Sequence, residues 1–331
     1  MFVVTNAGVA TLFCLVTMLG WGSWANTQKL AGKDKWAFPL YYWDYALAVV
    51  IMGIIFAATL GTFGSAGMGA AENLRQAGRE QVLRAIWSGV LFNMSNILLV
   101  YAIDAAGMAV AFPVGVGLAL VIGTVASYVQ SPKGNPALLF SGLALVVFAI
   151  GMSAMAYSKL PRQVGRGWVK GVVAAVLAGC LMGFFYPQIS ASMSPSFHSA
   201  PIQAGYLTPY TALALFGLGL FASSLVLNAM FMHSEGLKYG DYFRGTARLH
   251  SLGLLGGIIW MVAFSANVVA SGVVGPAIAY ALGQGATLVA AIWGVVIWRE
   301  FRAAPRGTGR LILLMFAGYG CGLTLIAMAS Q

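Results

Sequence analysis

Charge is scarce in this sequence. Only 8% of its 331 residues are Asp, Glu, Lys or Arg, and 60% are hydrophobic, whereas a soluble domain carries about a quarter charged residues. The apolar runs recur along the whole length, so they are not a single secretory signal. The connections between them are too short to hold a soluble domain. We therefore expect function to reside within a bundle of membrane-spanning helices.

Other absences narrow the possible functions. Cys14, Cys180 and Cys321 fall inside apolar runs without metal-ligand spacing, so neither a disulfide nor a metal site is predicted. The sequence has no phosphate-binding Gly-x-x-x-x-Gly-Lys-[Ser/Thr] loop and no charged ring or filter element. We expect no cofactor, no ATP-driven pump, no channel and no enzyme.

Ten stretches of about 20 mainly apolar residues are long enough to span a bilayer as helices. They cover approximately residues 7–25, 38–60, 84–103, 109–128, 137–157, 168–189, 207–231, 250–270, 276–298 and 310–329. The fold class is therefore an all-α polytopic membrane protein with lipid as its surroundings.

The net charge of +10 comes mostly from residues that flank these spans, which disfavours nucleic acid as a partner. The even-numbered connections hold only Arg75, Arg79, Arg84 and Lys133, and the other loops are much richer in Lys and Arg. By the positive-inside rule, the odd-numbered connections are cytoplasmic. This predicts an inner (plasma) membrane protein with both termini outside.

Glycines indicate an internal repeat. One constant offset places four glycines of spans 3 and 4 on four glycines of spans 8 and 9, and a similar offset places residues 19–21 on 182–184. This predicts two five-span halves, 1–160 and 161–331, which enter the membrane in opposite senses because five is odd. Inverted repeats are typical of alternating-access transporters with a site near the midplane. The glycine pairs are Gly89 and Gly257, Gly107 and Gly275, Gly115 and Gly283, and Gly117 and Gly285.

Polar side chains inside spans are candidates for a substrate site. Asn93 and Asn96 lie one turn apart in span 3, and Gln284 lies between Gly283 and Gly285 in span 9. Their amides suit hydroxyls, carbonyls or ring N–H groups without requiring charge. The alternatives are hydrogen bonding between helices for the asparagines and close helix packing for the glycines.

Aromatic side chains supply candidate pocket walls, because their faces stack on sugars and on planar heterocycles alike. The candidates are Trp21, Phe112, Phe184, Tyr186 and Trp260. The alternative is an aromatic belt at the membrane interface. That interpretation is favoured for the boundary residues Trp24, Trp36, Tyr41, Tyr42 and Trp43.

Asp44 is the one carboxylate more than a few residues inside a span, so it is the candidate proton-coupling site. His250, at the start of span 8, is a candidate second titrating group. Alternatively, Asp44 pairs at the cytoplasmic end with Lys29, Lys33 or Lys35, and His250 is interfacial.

Pro113, early in span 4, frees a backbone carbonyl one turn before it. Together with Gly115, Gly117, Gly283 and Gly285 it forms a candidate hinge. A tolerated kink explains the proline equally well.

These residues resemble the drug/metabolite transporter superfamily, with ten helices in two inverted halves. Residues 14–30, 42–45 and 108–115 look like its ureide permease branch, which adjoins the glucose/ribose and rhamnose porters. Residues 250–260 are similar to the rhamnose porter.

The resemblance implies proton-coupled import of a small neutral metabolite, with a ureide or nucleobase-like heterocycle favoured and a monosaccharide as the alternative. A drug exporter would generally need a midspan carboxylate, which is lacking, and a non-transporting sensor would not need a repeat. Plant ureide permeases also carry a long central loop, in place of which this chain has only the short stretch 158–167.

Overall fold

A computed structural model describes residues 1–33, 36–160, 168–199 and 201–330. Within these residues it also leaves out a few side chains, those of Lys33, Asp104, Met108, Ala109 and Phe112. The described part of the chain is mainly helical, with two isolated β-bridges and no strand.

The ten predicted spans are confirmed, because the described residues form ten helical stretches long and apolar enough to cross a membrane. The chain is therefore a multi-pass membrane protein. The helices are α1 Ala7–Ser23, α2 Ala25–Lys33, α3 Phe38–Ala58, α4 Ala70–Gln76, α5 Arg79–Ala106, α6 Met108–Gln130, α7 Pro136–Tyr157, α8 Trp168–Ser192, α9 Pro209–Ser234, α10 Tyr239–Phe243, α11 Ala247–Val274, α12 Pro276–Gly283, α13 Ala286–Ile292 and α14 Thr308–Met328, with a π-helical turn at Trp293–Ile297.

Local sequence explains where several spans begin. The side chains of Asn6, Asn135 and Thr208 accept backbone N–H groups at the starts of α1, α7 and α9, which satisfies donors that the helix itself cannot. Proline occupies the first turn of α3, α7, α9 and α12, where its missing N–H costs little.

Two short helices, α4 and α10, lie outside the predicted spans. The Asn73 side chain of α4 is fully buried, where it donates to the Tyr206 carbonyl at 3.0 Å and accepts from Thr208 N–H at 2.8 Å. Such contacts join loops distant in sequence, so the hydropathy of a single stretch cannot reveal them.

The chain forms two compact units. The first comprises Met1–Asn93 and Gln188–Val273, and the second comprises Met94–Pro187 and Val274–Gln331. Each unit contains segments from both predicted halves, 1–160 and 161–331. The two compact units therefore do not coincide with the two predicted repeats. The inverted repeat stays a prediction.

The helix bounds nevertheless follow the predicted offset. The shift that takes Gly89 to Gly257 also takes the first residue of α5 to that of α11, and the first residue of α6 to that of α12. Gly107 precedes α6 with φ 81° and ψ 156°, and Gly275 precedes α12 with φ 92° and ψ 150°. Since positive φ favours glycine, the same sequence requirement recurs at both positions.

In the first unit, α3 and α9 pack side by side. A side chain on Gly89 would collide with the backbone carbonyl of Phe216, and one on Gly257 with the carbonyl of Tyr45. The shift that takes the first residue of α3 to that of α9 also takes Tyr45 to Phe216. The same close helix contact is therefore built twice, between α5 and α9 and between α11 and α3.

In the second unit, α7 packs along α14, and Gly142 and Gly322 each lie against the other's carbonyl oxygen. Gly115 approaches Gly179 of α8 closely, since a Cβ on Gly179 would lie 2.6 Å from the Gly115 oxygen. This close approach requires the glycine at position 179. A Cβ on Gly115 itself would lie 2.8 Å from Leu99 Cδ1, and the hinge role of Gly115 stays a prediction. A Cβ on Gly117 would meet its nearest neighbour, Ile150, only at 3.9 Å, so packing does not demand that glycine.

Candidate functional site

The first unit contains a group of stacked aromatic rings, which we call the aromatic cluster: Trp21, Tyr45, Phe92, Phe216, Trp260 and Phe264. Trp260 is its centre, with ring centroids 4.5 Å from Phe92, 5.7 Å from Phe216 and 5.9 Å from Trp21. Side chains from α1, α3, α5 and α9 thus converge on one buried ring of α11, and two predicted site residues, Trp21 and Trp260, stack directly on each other.

Asn93 follows Phe92 on α5 and is fully buried. Its Oδ1 accepts from the Tyr42 hydroxyl at 3.0 Å, and its Nδ2 donates to Ser223 Oγ at 2.8 Å. The Tyr42 ring in turn stacks on Tyr45 at 5.2 Å. Asn93 is therefore held by α3 and α9 at the edge of the aromatic cluster.

Asp44 lies buried near the start of α3. Its Oδ1 accepts from the Tyr242 hydroxyl at 2.7 Å, and its Oδ2 lies 2.8 Å from His250 Nδ1. A side chain on Gly253 would lie 2.5 Å from the Asp44 Cβ, so this glycine lets α11 approach the acid. The structure thus brings together the two residues that we predicted to titrate.

Tyr242 lies outside the spans, in α10. Burial, followed by the hydrogen bond to Asp44 and its charge, raises the pKa of Tyr242 above the ordinary value. The phenol therefore stays protonated and can donate at any physiological pH. The lysine alternative receives no support, because both Asp44 oxygens have other partners; Lys35 and the Lys33 side chain lie outside the described residues.

The second unit holds the other predicted residues. α12 ends at Gly283, and α13 begins at Ala286, so the spanning helix is interrupted at Gln284 and Gly285. The Gln284 side chain is buried. One turn before it, the Tyr280 hydroxyl donates to the Ala119 carbonyl at 3.2 Å, and the Tyr280 ring packs on Tyr186 at 4.8 Å. α6, in contrast, continues without interruption past Pro113.

Phe184 differs from its neighbours on α8. Its side chain is 48% exposed, whereas those of Phe185 and Tyr186 are each 1% exposed. The Phe184 side chain is therefore only partly covered by the chain, whereas Phe185 packs against Tyr280 at 6.2 Å. The pattern of three adjacent aromatics does not reveal which of them faces inward.

Asn96 is buried in the second unit, so the two asparagines of α5 belong to different units. The intervening Ser95 donates to the Ala178 carbonyl at 2.7 Å. The side chain of Phe112 lies outside the described residues.

The interfacial interpretation is wrong for Tyr41 and Tyr42, which are fully buried, and Trp43 is only 9% exposed. Thr27 and the Tyr41 hydroxyl share a hydrogen bond of 2.7 Å. Hydropathy indicates how deep a residue lies in the membrane but not whether its side chain points to lipid or to other helices. This explains why buried tyrosines are assigned to the interface.

Sequence reasoning missed Tyr45, Ser223, Tyr242 and Tyr280. Tyr45 stands next to aromatic residues that the sequence assigns to the membrane boundary. Tyr242 lies in the short helix α10, which is outside the spans that hydropathy selects. Among the residues that the structure describes, no three His, Cys, Asp or Glu side chains form a group that could hold a metal ion.

Comparisons with known proteins point in one direction. A model of the ureide permease family matches residues 41–162, a range that includes Asp44, Asn93 and Tyr45. Ureide permease 1 of Arabidopsis thaliana is 21% identical over 391 aligned residues, covering 100% of this chain and 99% of the relative. Ureide permease 2 of the same plant is 22% identical, with 95% of each chain covered. The chain is thus similar to ureide permeases along its length.

These relatives are named as transporters, which agrees with the prediction that the chain is not an enzyme. The alignment to Ureide permease 1 is longer than this chain, so the relative has insertions. A solved structure, described only as "Crystal structure of protein", covers 96% of this chain and is itself covered to 97%, with a TM-score of 0.59 and 18% identity. That likeness shows a shared fold.

Proposed function

We propose that the protein is a secondary transporter that imports a small, neutral, polar metabolite, with ureides and nucleobase-like heterocycles favoured. The observation that carries the proposal is the buried Asn93 amide at the edge of the aromatic cluster. The similarity to ureide permeases along the whole chain supports the same substrate class.

The chemistry of Asn93 suits such solutes. A carboxamide has two N–H donors and two acceptor lone pairs, and Tyr42 and Ser223 use one of each. One donor and one acceptor therefore remain for the adjacent N–H and C=O groups of a cyclic amide or urea. Flat rings would stack on the aromatic cluster, whose members carry no charge, so a charged solute would lose hydration without compensation.

The transport cycle proposed here uses two inverted five-helix repeats that exchange conformations. The equal spacing of α5 and α11 and of α6 and α12, together with the paired glycine contacts of Gly89 and Gly257, supports this symmetry. In the second unit, the buried Gln284 at the turn between α12 and α13 stays a candidate polar contact for the solute.

Proton coupling is assigned to Asp44 and His250, with Tyr242 as positioning residue. A buried carboxylate in contact with a histidine can exchange a proton as its access to water changes. The positive-inside prediction puts this group at the cytoplasmic end, where an imported proton would be released. The neighbouring ionisable groups include Tyr41 on the same helix.

Uptake into proteoliposomes tests the proposal. Purified protein should accumulate labelled allantoin or uracil when the vesicle interior is alkaline, and an uncoupler should abolish the accumulation. Labelled ribose, glucose and a lipophilic cation serve as the sugar and drug arms. Accumulation in neither heterocycle arm, with pH-driven uptake of a sugar, would overturn the substrate class; no uptake of any probe would overturn transport.

A further inference from the structure

Tyr45 carries a hydroxyl group whose purpose the packing does not explain. The side chain is fully buried, and its hydroxyl has no hydrogen-bond partner among the described residues. Leaving a buried hydroxyl without a partner is unfavourable, so native structures rarely retain one without a use.

The molecule contains its own comparison for this position. Phe216 lies at the point of α9 that corresponds to Tyr45 in α3, and the carbonyls of both residues face a glycine of the next helix. Phe216 contacts Phe92 at 5.8 Å, and Tyr45 contacts Trp260 at 6.4 Å. A phenyl ring suffices for this packing at Phe216, so the hydroxyl at Tyr45 is not required by the fold.

A second buried polar atom of the aromatic cluster also lacks a hydrogen-bond partner. Trp21 Nε1 is buried and has no hydrogen-bond partner in the part of the chain that the structure describes. The Trp21 and Tyr45 rings both contact Trp260. An indole N–H can only donate, whereas a phenol can donate or accept. Both residues with an unpartnered polar group thus contact the Trp260 ring. The Tyr45 ring also stacks on Tyr42, whose hydroxyl donates to Asn93.

We propose that the Tyr45 hydroxyl and Trp21 Nε1–H contact the transported solute directly. The inference rests on the proposed function and adds to it a second recognition point, separate from Asn93. The solute presents a hydrogen-bond acceptor to the Trp21 N–H. The Tyr45 hydroxyl then binds a second polar group on the solute.

Tyr45→Phe tests this assignment, because it removes one oxygen atom and keeps the ring. Titration calorimetry with allantoin on purified protein should show affinity weakened about three- to tenfold, the range of one neutral hydrogen bond. The Tm should stay the same or rise, since a hydroxyl without a protein partner is lost. Trp21→Phe should weaken binding in the same direction.

Tyr210→Phe is the matched control. The Tyr210 hydroxyl donates to the Phe2 carbonyl at 3.1 Å, so its removal should lower Tm and leave affinity unchanged. Wild-type affinity in both Tyr45→Phe and Trp21→Phe would overturn the inference, and so would a fall in Tm for Tyr45→Phe with unchanged affinity. If the wild-type protein binds neither allantoin nor uracil, the proposed function fails first, and the two failures are thereby distinguished.

Discussion

Two pairs of helices in the first unit pack alike but differ in polarity. α11 meets α3 at Gly257, and α5 meets α9 at Gly89, each glycine lying against a backbone carbonyl. At the corresponding positions, however, Asp44 is matched by Leu215, and His250 is matched by Val82. The titratable pair therefore occurs once, although the packing occurs twice.

The polar residues around Asn93 also occur in only one of the two helix pairs. At the offsets that relate the helices, Asn93 corresponds to the buried Met261, Tyr42 to the buried Leu213, and Ser223 to Met52. The fold is satisfied by apolar side chains at these positions, so it does not demand the polar set. Since burying polar groups is costly, the difference supports the proposed roles of the polar set in solute binding and proton coupling.

The largest effect is expected at Asp44, whose counterpart is apolar. Asp44→Asn keeps the shape of the side chain but cannot release a proton, so accumulation driven by a pH gradient should be abolished, while solute exchange between equal concentrations continues. Both are measured in proteoliposomes with labelled allantoin.

Glu80→Gln is the control for Asp44→Asn, because the Glu80 carboxylate is 67% exposed and pairs with Arg84 in the next turn. It should accumulate solute normally. Undiminished accumulation by Asp44→Asn would remove this residue from the coupling mechanism.

A smaller effect, a similar loss of stability in both helix pairs, is expected from replacing Gly89 or Gly257. Gly89→Ala and Gly257→Ala both force a methyl group against a carbonyl oxygen, which should destabilise the protein by about 1–3 kcal/mol, visible as a lower Tm in detergent. Gly151→Ala, where the methyl group would have nothing within 4 Å, should be neutral or slightly stabilising. A fall in Tm for only one of the first two variants would break the proposed equivalence.

The smallest effect is expected at Tyr242. Tyr242→Phe removes a donor to the Asp44 carboxylate and so disfavours its charged form. The pH of half-maximal uptake should therefore rise by roughly half a unit to one unit, the worth of about one hydrogen bond. Tyr239→Phe, a half-exposed tyrosine of the same short helix, should leave the pH profile unchanged. An unshifted profile for Tyr242→Phe would mean that this hydrogen bond does not act on the titrating group.

The sequence is sufficient for the spans, because apolar runs of this length have few other uses. It also identifies Asp44 and His250 separately, but their contact joins residues 206 positions apart, and no local pattern predicts such a pair. The direction in which a side chain points is the second feature that the sequence does not predict. Hydropathy is similar for a ring directed at lipid and one directed inward, so the sequence assigns Tyr41 and Tyr42 to the interface although both are buried. It also does not distinguish Phe184 from the buried Phe185, and the role of Phe184 stays a prediction.

The most direct test of the account is solute counterflow at constant pH, which needs binding and translocation but no proton gradient. Asn93→Leu should lower the rate of allantoin counterflow by about tenfold or more, as two lost hydrogen bonds to the solute would. Met261→Leu, at the corresponding position, should stay within about twofold of the wild-type protein because the volume is conserved. Equal rates in the two variants would contradict the claim that the polar residues around Asn93 bind the solute.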